Sequence, residues 1–229
     1  SKTMKPSFLI TIIALFLILP FPAHSGPYKI ATWNIEHFRD SNNEGPNPRT
    51  DEDFALLAKY VRRMNADIIA LQETEGPAAA RRIFDPETYR FFFSRRNDER
   101  LTGFAVRNGI EVKQHPDLTG LNIGGDNRHG TDISVKMNGR WVRMLSIHLQ
   151  PGCWGDPLNT DKEACRNLSA QLPVLESWID ARAAEGVPFM VLGDFNRRFD
   201  NNPGDTFWPE IDDSVPANAD LYRVTENRT

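Results

Sequence analysis

The sequence has few cysteines, no excess of positive charge and no hydrophobic run long enough to cross a bilayer. Two cysteines in 229 residues, without a second pair or a histidine at ligand spacing, are too sparse for a zinc site. The formal net charge is −4, whereas proteins that bind nucleic acid without sequence preference usually carry a basic surface. It does not exclude a nuclease, because bound cations offset phosphate charge locally. A hydrophobic content of 40% is ordinary for a soluble globular protein.

The longest apolar run lies near the N-terminus and covers residues 8–19. Its 12 residues fall short of the roughly 20 that a membrane-spanning helix needs, but they match the core of a secretory signal peptide. Small residues at 23 and 25 suit cleavage before Gly26. We therefore predict a signal peptide over 1–25, a mature domain over 26–229 and a secreted or periplasmic location. An uncleaved anchor is the alternative.

The two cysteines, Cys153 and Cys165, fall in one segment that precedes a predicted helix. In an exported protein such a pair is expected to form a disulfide, and two free thiols are the alternative. The bond would close a loop of about 13 residues, worth roughly 3 kcal/mol in the chain-entropy model.

Short runs rich in β-branched and aliphatic residues alternate with helical patterns along the chain. These patterns predict strands at 28–34, 67–73, 89–93, 103–107, 110–115, 131–137, 141–148 and 187–193, and helices at 50–64, 77–84 and 161–185. Thr50 and Asp53 form a capping-box variant, and Asn138-Gly139 favours a hairpin turn. Pro173 favours a kink or break in the last helix. A further strand could begin at 221–224.

Two βα units flank a run of hairpins, so parallel and antiparallel pairing are mixed. We expect an α/β (α+β) fold of the four-layer sandwich type. In this fold two mixed sheets pack face to face and helices cover their outer faces.

Four of the predicted strands end in polar residues of a narrow kind. Asn34, Glu73 and His148 each follow an apolar run, and Asp194 follows another with Asn196 two places on. If the strands lie side by side, these ends meet at one rim. Two carboxylates, two amides and an imidazole would suit a divalent cation and a phosphate ester. Magnesium prefers oxygen ligands and usually takes one or two carboxylates beside water and phosphate.

The chemistry of phosphate-ester hydrolysis suggests a role for each residue. Glu73 is the best ligand candidate, with Asn34 beside it as a carbonyl donor or orienting group. Asp194 could orient or deprotonate a water, and Asn196 could donate to the phosphate. His148 could donate a hydrogen bond or relay a proton, because the ordinary pKa of histidine lies near neutrality.

Each of these residues also has a purely structural interpretation. Asn34 could be a turn residue, Glu73 could cap the following helix, and His148 could be a buried structural imidazole. Asp194 and Asn196 could simply form an Asx turn.

Several nearby basic residues could also contact phosphate, and solvated loops are the alternative for each. Arg128 and His129 precede the strand at 131–137, and Arg197 and Arg198 follow Asn196. Arginine suits bidentate phosphate binding, so Arg128 is the candidate for the substrate phosphate. For His37 the sequence suggests only a loop or strand-end role.

The sequence contains four motifs in the order Trp33-Asn34, Gln72-Glu73, His148-Leu149 and Gly193-Asp194-Phe195-Asn196. This order resembles that of the endonuclease/exonuclease/phosphatase superfamily, which includes pancreatic-type deoxyribonucleases. The resemblance covers roughly residues 28–200. It implies metal binding by Asn34 and Glu73, and catalysis by His148, Asp194 and Asn196. It also implies Mg²⁺, Mn²⁺ or Ca²⁺ as the cofactor.

The chain departs from this pattern near its C-terminus. Family members carry an Asp-His pair there, and no Asp-His dipeptide occurs in this sequence. The resemblance therefore implies a C-terminally truncated chain whose last strands are missing. An unpaired sheet edge and exposed apolar surface would follow, and we expect this form to be poorly stable and weakly active or inactive.

The leading hypothesis is a secreted, metal-dependent phosphodiesterase, most plausibly an endonuclease with nucleic acid as substrate. We expect a monomer without stable membrane association after signal cleavage. A sphingomyelinase-like or other phosphoesterase is one alternative, for which Trp154 or Phe207-Trp208 could contact a membrane. A catalytically inactive binding protein is the other.

Overall fold

A computed structural model describes residues 26–199 and 204–226. The predicted signal peptide lies outside these residues. The eight strands are β1 (Ile30–Phe38), β2 (Ile68–Thr74), β3 (Tyr89–Phe93), β4 (Leu101–Arg107), β5 (Val112–Gln114), β6 (Thr131–Met137), β7 (Arg140–His148) and β8 (Phe189–Asp194). The helices are α1 (Asp51–Met64), α2 (Pro77–Ala80), α3 (Glu163–Ala184) and α4 (Phe207–Ile211), with short 3-10 turns at Thr119–Leu121 and Ile123–Gly125.

The strands form two mixed sheets of four strands each. The first sheet has the order β1-β2-β4-β3, and the second has the order β5-β6-β7-β8. β1 runs parallel to β2, and β7 runs parallel to β8, while the other pairs are antiparallel. Parallel neighbours need a crossover connection, which α1 and α3 supply. The carboxyl ends of β1 and β2 therefore share one edge, as do those of β7 and β8.

Three layers of apolar side chains hold the sandwich together. Between the sheets, Ile68 and Phe104 of the first pack with Ile133 and Met144 of the second. α1 and α2 cover the outer face of the first sheet, and α3 and α4 cover the outer face of the second. Burial of these faces is the main favourable contribution to folding. The predicted four-layer α/β sandwich is confirmed.

The helices follow the sequence patterns closely. Thr50 caps α1 in a capping box, accepting from the backbone N–H of Asp53 while the Asp53 carboxylate accepts from the backbone N–H of Thr50. α3 continues through Pro173 without the predicted break. Leu168, Leu172 and Leu175 of α3 are fully buried or nearly so. Packing of this face therefore outweighs the roughly 3 kcal/mol that an interior proline costs.

The C-terminal segment over residues 204–226 differs from its prediction. Residues 221–224 are not a strand, and a short helix, α4, precedes them instead. Phe207 of α4 is fully buried, and Trp208 packs against the same core, so this pair is unsuited to membrane contact. No helix in 26–199 or 204–226 is long and apolar enough to cross a membrane.

The predicted disulfide between Cys153 and Cys165 is present, with the two Cα atoms 5.0 Å apart. It joins the loop after β7 to the first turn of α3. Both cysteines are fully buried in the core beneath α3.

Candidate active site

Four strands bring the predicted residues together at one rim. Asn34 lies in the middle of β1, where its regular pairing with β2 ends, Glu73 lies near the end of β2, His148 at the end of β7 and Asp194 at the end of β8. His148 and Asp194 are directly paired in the β7–β8 ladder. The structure therefore brings these four side chains together.

The side-chain amide of Asn34 links two carboxylates that come from different sheets. Its Nδ2 donates to Glu73 Oε1 at 3.3 Å and to Asp194 Oδ2 at 3.0 Å. Its Oδ1 accepts from the backbone N–H of Glu36 at 2.9 Å. As it stands, the amide presents nitrogen to both carboxylates. Asn34 therefore acts as an orienting group and also forms the turn that the structural interpretation suggested.

Glu73 reaches this rim through an irregularity in β2. Its φ is +55°, and the pairing of β2 with β1 and with β4 shifts register around it. A positive φ in a residue other than glycine stores strain and is found preferentially at functional sites. Helix α2 begins after Gly76 with no side-chain cap, so the alternative of Glu73 as a capping residue is wrong.

His37 holds the second carboxylate oxygen of Glu73, a role that the sequence analysis missed. Its backbone N–H donates to Glu73 Oε2 at 3.0 Å, and its Nε2 lies 3.5 Å from the same atom. The predicted strand stopped at Asn34, whereas β1 continues to Phe38 through Glu36 and His37, both with positive φ. These two polar residues interrupt the apolar pattern, so the pattern does not predict that β1 extends beyond Asn34.

Close backbone packing fixes the position of Asp194. The preceding Gly193 has a φ of +140°, and a Cβ there would lie 2.0 Å from the carbonyl oxygen of Ile147. Only glycine allows such an approach. β8 can therefore lie against β7 with Asp194 beside His148.

The environment of Glu73 favours its carboxylate form. Burial opposes ionisation, but the imidazole of His148 and hydrogen bonds from Asn34 and from the His37 backbone outweigh it. The pKa of Glu73 consequently lies below its ordinary value. A negative charge is therefore held at the rim.

His148 is 2% exposed, and its Nε2 lies 3.7 Å from Glu73 Oε1 and 3.9 Å from Asp194 Oδ2. Burial and the charge of Arg128 lower the pKa of His148 to about 4, against the opposing pull of both carboxylates. The imidazole is therefore neutral at pH 7. A neutral imidazole keeps one ring N–H, so of the two predicted roles the hydrogen-bond donor fits this environment better.

The charge of Arg128 contributes to the lowered pKa of His148, so its guanidinium is within electrostatic reach of the site. Its side chain is buried, yet its Nε has no hydrogen-bond partner among the described residues. Burial also lowers the pKa of the guanidinium below its ordinary value. A buried unpaired donor is costly unless something else satisfies it, which favours an anionic ligand here.

Asn196 occupies a turn that its neighbours define completely. Its backbone N–H donates to Asp194 Oδ1 at 2.9 Å, so the predicted Asx turn exists beside the site. Its Nδ2 donates to the carbonyl of Leu149 at 2.9 Å, and its Oδ1 accepts from the indole N–H of Trp154 at 3.2 Å. The sequence suggested Trp154 only as a membrane-contact candidate.

Other predicted phosphate ligands are engaged elsewhere. The side chain of Arg197 is fully buried and forms a bidentate pair with Asp205, so it does not face a polyanion. His129 Nδ1 lies 3.5 Å from Asp117 Oδ2. Arg198 remains exposed, with its guanidinium 5.9 Å from the ring centre of Trp154.

A buried polar link joins the sheets directly behind the site. Gln72 Nε2 donates to Ser146 Oγ at 3.2 Å, and Ser146 Oγ donates to the carbonyl of Leu71 at 3.2 Å. This link fixes β2 against β7, and hence Glu73 against His148. Buried hydrogen bonds of this kind favour one arrangement over slipped alternatives.

The donor set suits a divalent cation. Two carboxylates from different sheets converge on one polar atom of Asn34. One or two carboxylates, with water and phosphate completing the shell, are what Mg²⁺ usually takes. No group of three or more His, Cys, Asp and Glu side chains in the described part of the chain is arranged to hold a metal ion by itself. Of the two residues predicted for metal binding, Glu73 is therefore the candidate ligand of an open site, while Asn34 turns its Nδ2 towards the carboxylates and orients them.

The fold resembles several solved structures. TDP2 from C. elegans has a TM-score of 0.56 and 21% identity over 70% of this chain and 47% of its own. D. rerio TDP2 complexed with a single-strand DNA product has a TM-score of 0.54 and 19% identity, covering 80% of this chain and 64% of its own. A mannosyl-6-phosphatase from Bacteroides thetaiotaomicron has a TM-score of 0.53 and 15% identity, covering 81% and 70%.

The chain spans about half to three fifths of the first of these relatives. Identities this low establish similarity of fold alone. A search of curated protein sequences gave no match.

A family model gives the assignment. The model of the endonuclease/exonuclease/phosphatase family matches residues 31–220, a segment that contains every strand end described above. Members of this family are metal-dependent phosphoester hydrolases. On this match, the chain belongs to the endonuclease/exonuclease/phosphatase family.

Proposed function

We propose that the protein is an exported, divalent-metal-dependent phosphodiesterase that cleaves nucleic acid. The observation that carries the proposal is the contact of Asn34 Nδ2 with both Glu73 and Asp194, beside His148 and Arg128. Two carboxylates and a neutral imidazole then meet within electrostatic reach of a guanidinium whose Nε has no partner among the described residues. These are groups that phosphoester hydrolysis requires.

A divalent cation bound by Glu73, whose carboxylate Asn34 orients, would neutralise charge on the phosphoryl group. The guanidinium of Arg128 would bind a phosphoryl oxygen, and its free Nε supplies a donor for this purpose. His148 is buried and neutral, and its Nε2 faces the two carboxylates. A neutral imidazole carries one ring N–H, from which His148 would donate to the phosphate.

Asp194 is the best candidate for activating water. Its side chain is 34% exposed, compared with 12% for Glu73, so solvent reaches it. One oxygen accepts from Asn34 and the other from the backbone of Asn196. Two fixed donors hold the carboxylate in place, so it could orient a water and accept its proton. The second N–H of Asn196 would then bind the substrate.

Nucleic acid is the preferred substrate class for two reasons. Exposed Arg95 and Arg198 lie in loops that follow Phe93 and Asp194, and they could track a phosphate backbone beyond the scissile group. D. rerio TDP2, which shares the fold, has been solved with a single-strand DNA product. A lipid substrate is less well supported, because Phe207 is buried in the core and Trp154 alone of the predicted membrane-contact candidates stays well exposed.

Export rests on separate observations. The N-terminal apolar run fits a signal peptide, and the Cys153–Cys165 disulfide suits an oxidising compartment. Fractionation of cells expressing the chain would test this part of the proposal. Recovery in the medium or periplasm supports it, and recovery of a reduced protein in the cytosol contradicts it.

Hydrolysis of a fluorescent single-stranded oligonucleotide in Mg²⁺ tests the activity. The rate is measured as the difference between the wild type and Glu73→Gln. Glu111→Gln, near β5, serves as the control. We expect turnover by the wild type and by Glu111→Gln that EDTA and Glu73→Gln both abolish. Equal rates in the wild type and Glu73→Gln would contradict the proposal.

A further inference from the structure

Trp154 controls the orientation of a side chain within the candidate active site. We infer that Trp154 is a positioning residue: its indole N–H holds the amide of Asn196 in the one orientation that presents an N–H to the substrate. The inference rests on the proposed function for its catalytic consequence. The hydrogen bond on which it depends, Trp154 Nε1 to Asn196 Oδ1 at 3.2 Å, is independent of that function.

An asparagine amide can bind in two orientations that differ by exchange of oxygen and nitrogen. At Asn196 the partners distinguish them, since the Leu149 carbonyl can only accept and the Trp154 indole can only donate. Nitrogen therefore faces Leu149, and oxygen faces Trp154. One N–H of the amide is used by Leu149, and the second is available to a ligand.

Trp154 is itself held by the segment that follows Asn196. Its carbonyl accepts from the backbone N–H of Arg198 at 2.7 Å. Its side chain and main chain therefore contact residues 196 and 198 respectively, which fixes the indole relative to the turn. The ring remains 48% exposed, so burial contributes little to holding it.

A rigid support lies beneath this contact. The guanidinium of Arg197 donates to the carbonyls of Cys153 at 2.5 Å and Asp156 at 2.8 Å, while pairing with Asp205. The disulfide ties Cys153 to α3 through Cys165. Cys153, the residue next to Trp154, is therefore held both by Arg197 and by the disulfide. An otherwise exposed tryptophan in a loop acquires a defined position.

The test replaces Trp154 by one side chain that keeps an aromatic ring and by one that does not. Trp154→Phe keeps an aromatic ring but removes the N–H, and Trp154→Ala removes both. Trp141→Phe, at the start of β7 and therefore about 20 Å along the strand from His148, is the matched control. Rates are measured with bis(p-nitrophenyl) phosphate and Mg²⁺, together with the unfolding midpoint of each variant.

We expect Trp154→Phe to lower kcat about two- to tenfold, the range for loss of one hydrogen bond, with unchanged KM. Trp154→Ala should lower kcat by a similar factor, and Trp141→Phe should leave it unchanged. Wild-type kcat in Trp154→Phe would overturn the inference. A rise in KM without a change in kcat would also overturn it, because the indole would then act as a substrate contact.

A second measurement does not depend on activity. The indole ¹H–¹⁵N resonance of Trp154, assigned by its loss in Trp154→Phe, is followed in Asn196→Ala. We expect it to shift and its N–H to exchange faster with solvent, while the resonance of Trp141 stays in place. An unchanged Trp154 resonance would overturn the inference. A shifted resonance in a protein without any turnover would instead overturn the proposed function alone.

Discussion

Asn34 and Asp194 are 160 residues apart in sequence, yet Asn34 Nδ2 lies 3.0 Å from Asp194 Oδ2. They belong to different sheets, so this contact exists only when the two halves of the sandwich have packed correctly. The β7–β8 ladder, the close approach at Gly193 and the Gln72–Ser146 link all contribute to it. Function in this chain should therefore depend strongly on sheet packing.

Gly193→Ala should destabilise the protein and abolish the site. A methyl group at this position meets the backbone of Ile147, which cannot move as a side-chain tip can, and the φ of +140° adds strain. We expect the midpoint of urea unfolding to fall clearly. Gly109→Ala is the matched control, because its φ is +92° but nothing lies within 4 Å. An equal shift for both variants would show that the contact with Ile147 has no effect.

Removal of the disulfide should cost about 3 kcal/mol of unfolding free energy if the chain-entropy model holds. The double variant Cys153→Ser with Cys165→Ser is compared with the wild type by urea denaturation, with and without a reductant. We expect the reductant to destabilise the wild type and to leave the double variant unchanged. A wild type that is insensitive to full reduction, verified by thiol labelling, would contradict this expectation.

Stability should fall as pH rises from about 4.5 to about 7 through the effect of Glu176. Burial and the negative charges of Asp180, Asp213, Glu210 and Asp212 raise its pKa to about 7. Between the unfolded and folded pKa values Glu176 is protonated in the native state but ionised in the unfolded state. This difference stabilises the native state at low pH, and the stabilisation is lost as pH rises through the folded pKa.

Glu176→Gln should therefore stabilise the protein at pH 8 and have little effect at pH 4.5. Thermal unfolding of the two proteins across this range measures the difference. Glu87→Gln, in an exposed turn, is the control. A difference between wild type and Glu176→Gln that does not vary with pH would contradict the assignment.

Arg128→Lys should weaken substrate binding while the fold persists. Lysine keeps the charge but cannot replace the fork of guanidinium donors. Hydrogen bonds to charged groups are each worth about 1.5–3 kcal/mol, so we expect KM to rise about tenfold or more. Arg63→Lys, on the exposed face of α1, should leave KM unchanged. A wild-type KM in Arg128→Lys would exclude Arg128 from the substrate site.

Much of the site could be predicted from sequence because its residues directly follow apolar strands. Glu73, His148 and Asp194 lie at or near strand ends, and Asn34 lies where the regular pairing of β1 ends, so the apolar runs before them were sufficient to predict a common rim. The disulfide was also predictable, because only two cysteines are present. These features depend on local patterns and on the general behaviour of parallel strands.

Other features depend on tertiary packing that no local pattern records. His37 contacts Glu73 because β1 continues past Asn34 with two positive φ angles. Arg197 faces inward because Asp205 and the Cys153 carbonyl surround it. The low pKa of His148 arises from burial and from Arg128, a neighbour that is distant in sequence. Pro173 stays within α3 because the face around it packs on the second sheet.

The most direct test of the account is a crystal structure with Mn²⁺ and phosphate, in which anomalous scattering locates the cation. We predict a Mn²⁺ peak bonded to the carboxylate of Glu73, with phosphate beside His148 and Arg128. Ordered Mn²⁺ at another place on the protein, with Glu73 free of metal and phosphate absent from the rim, would contradict the central claim.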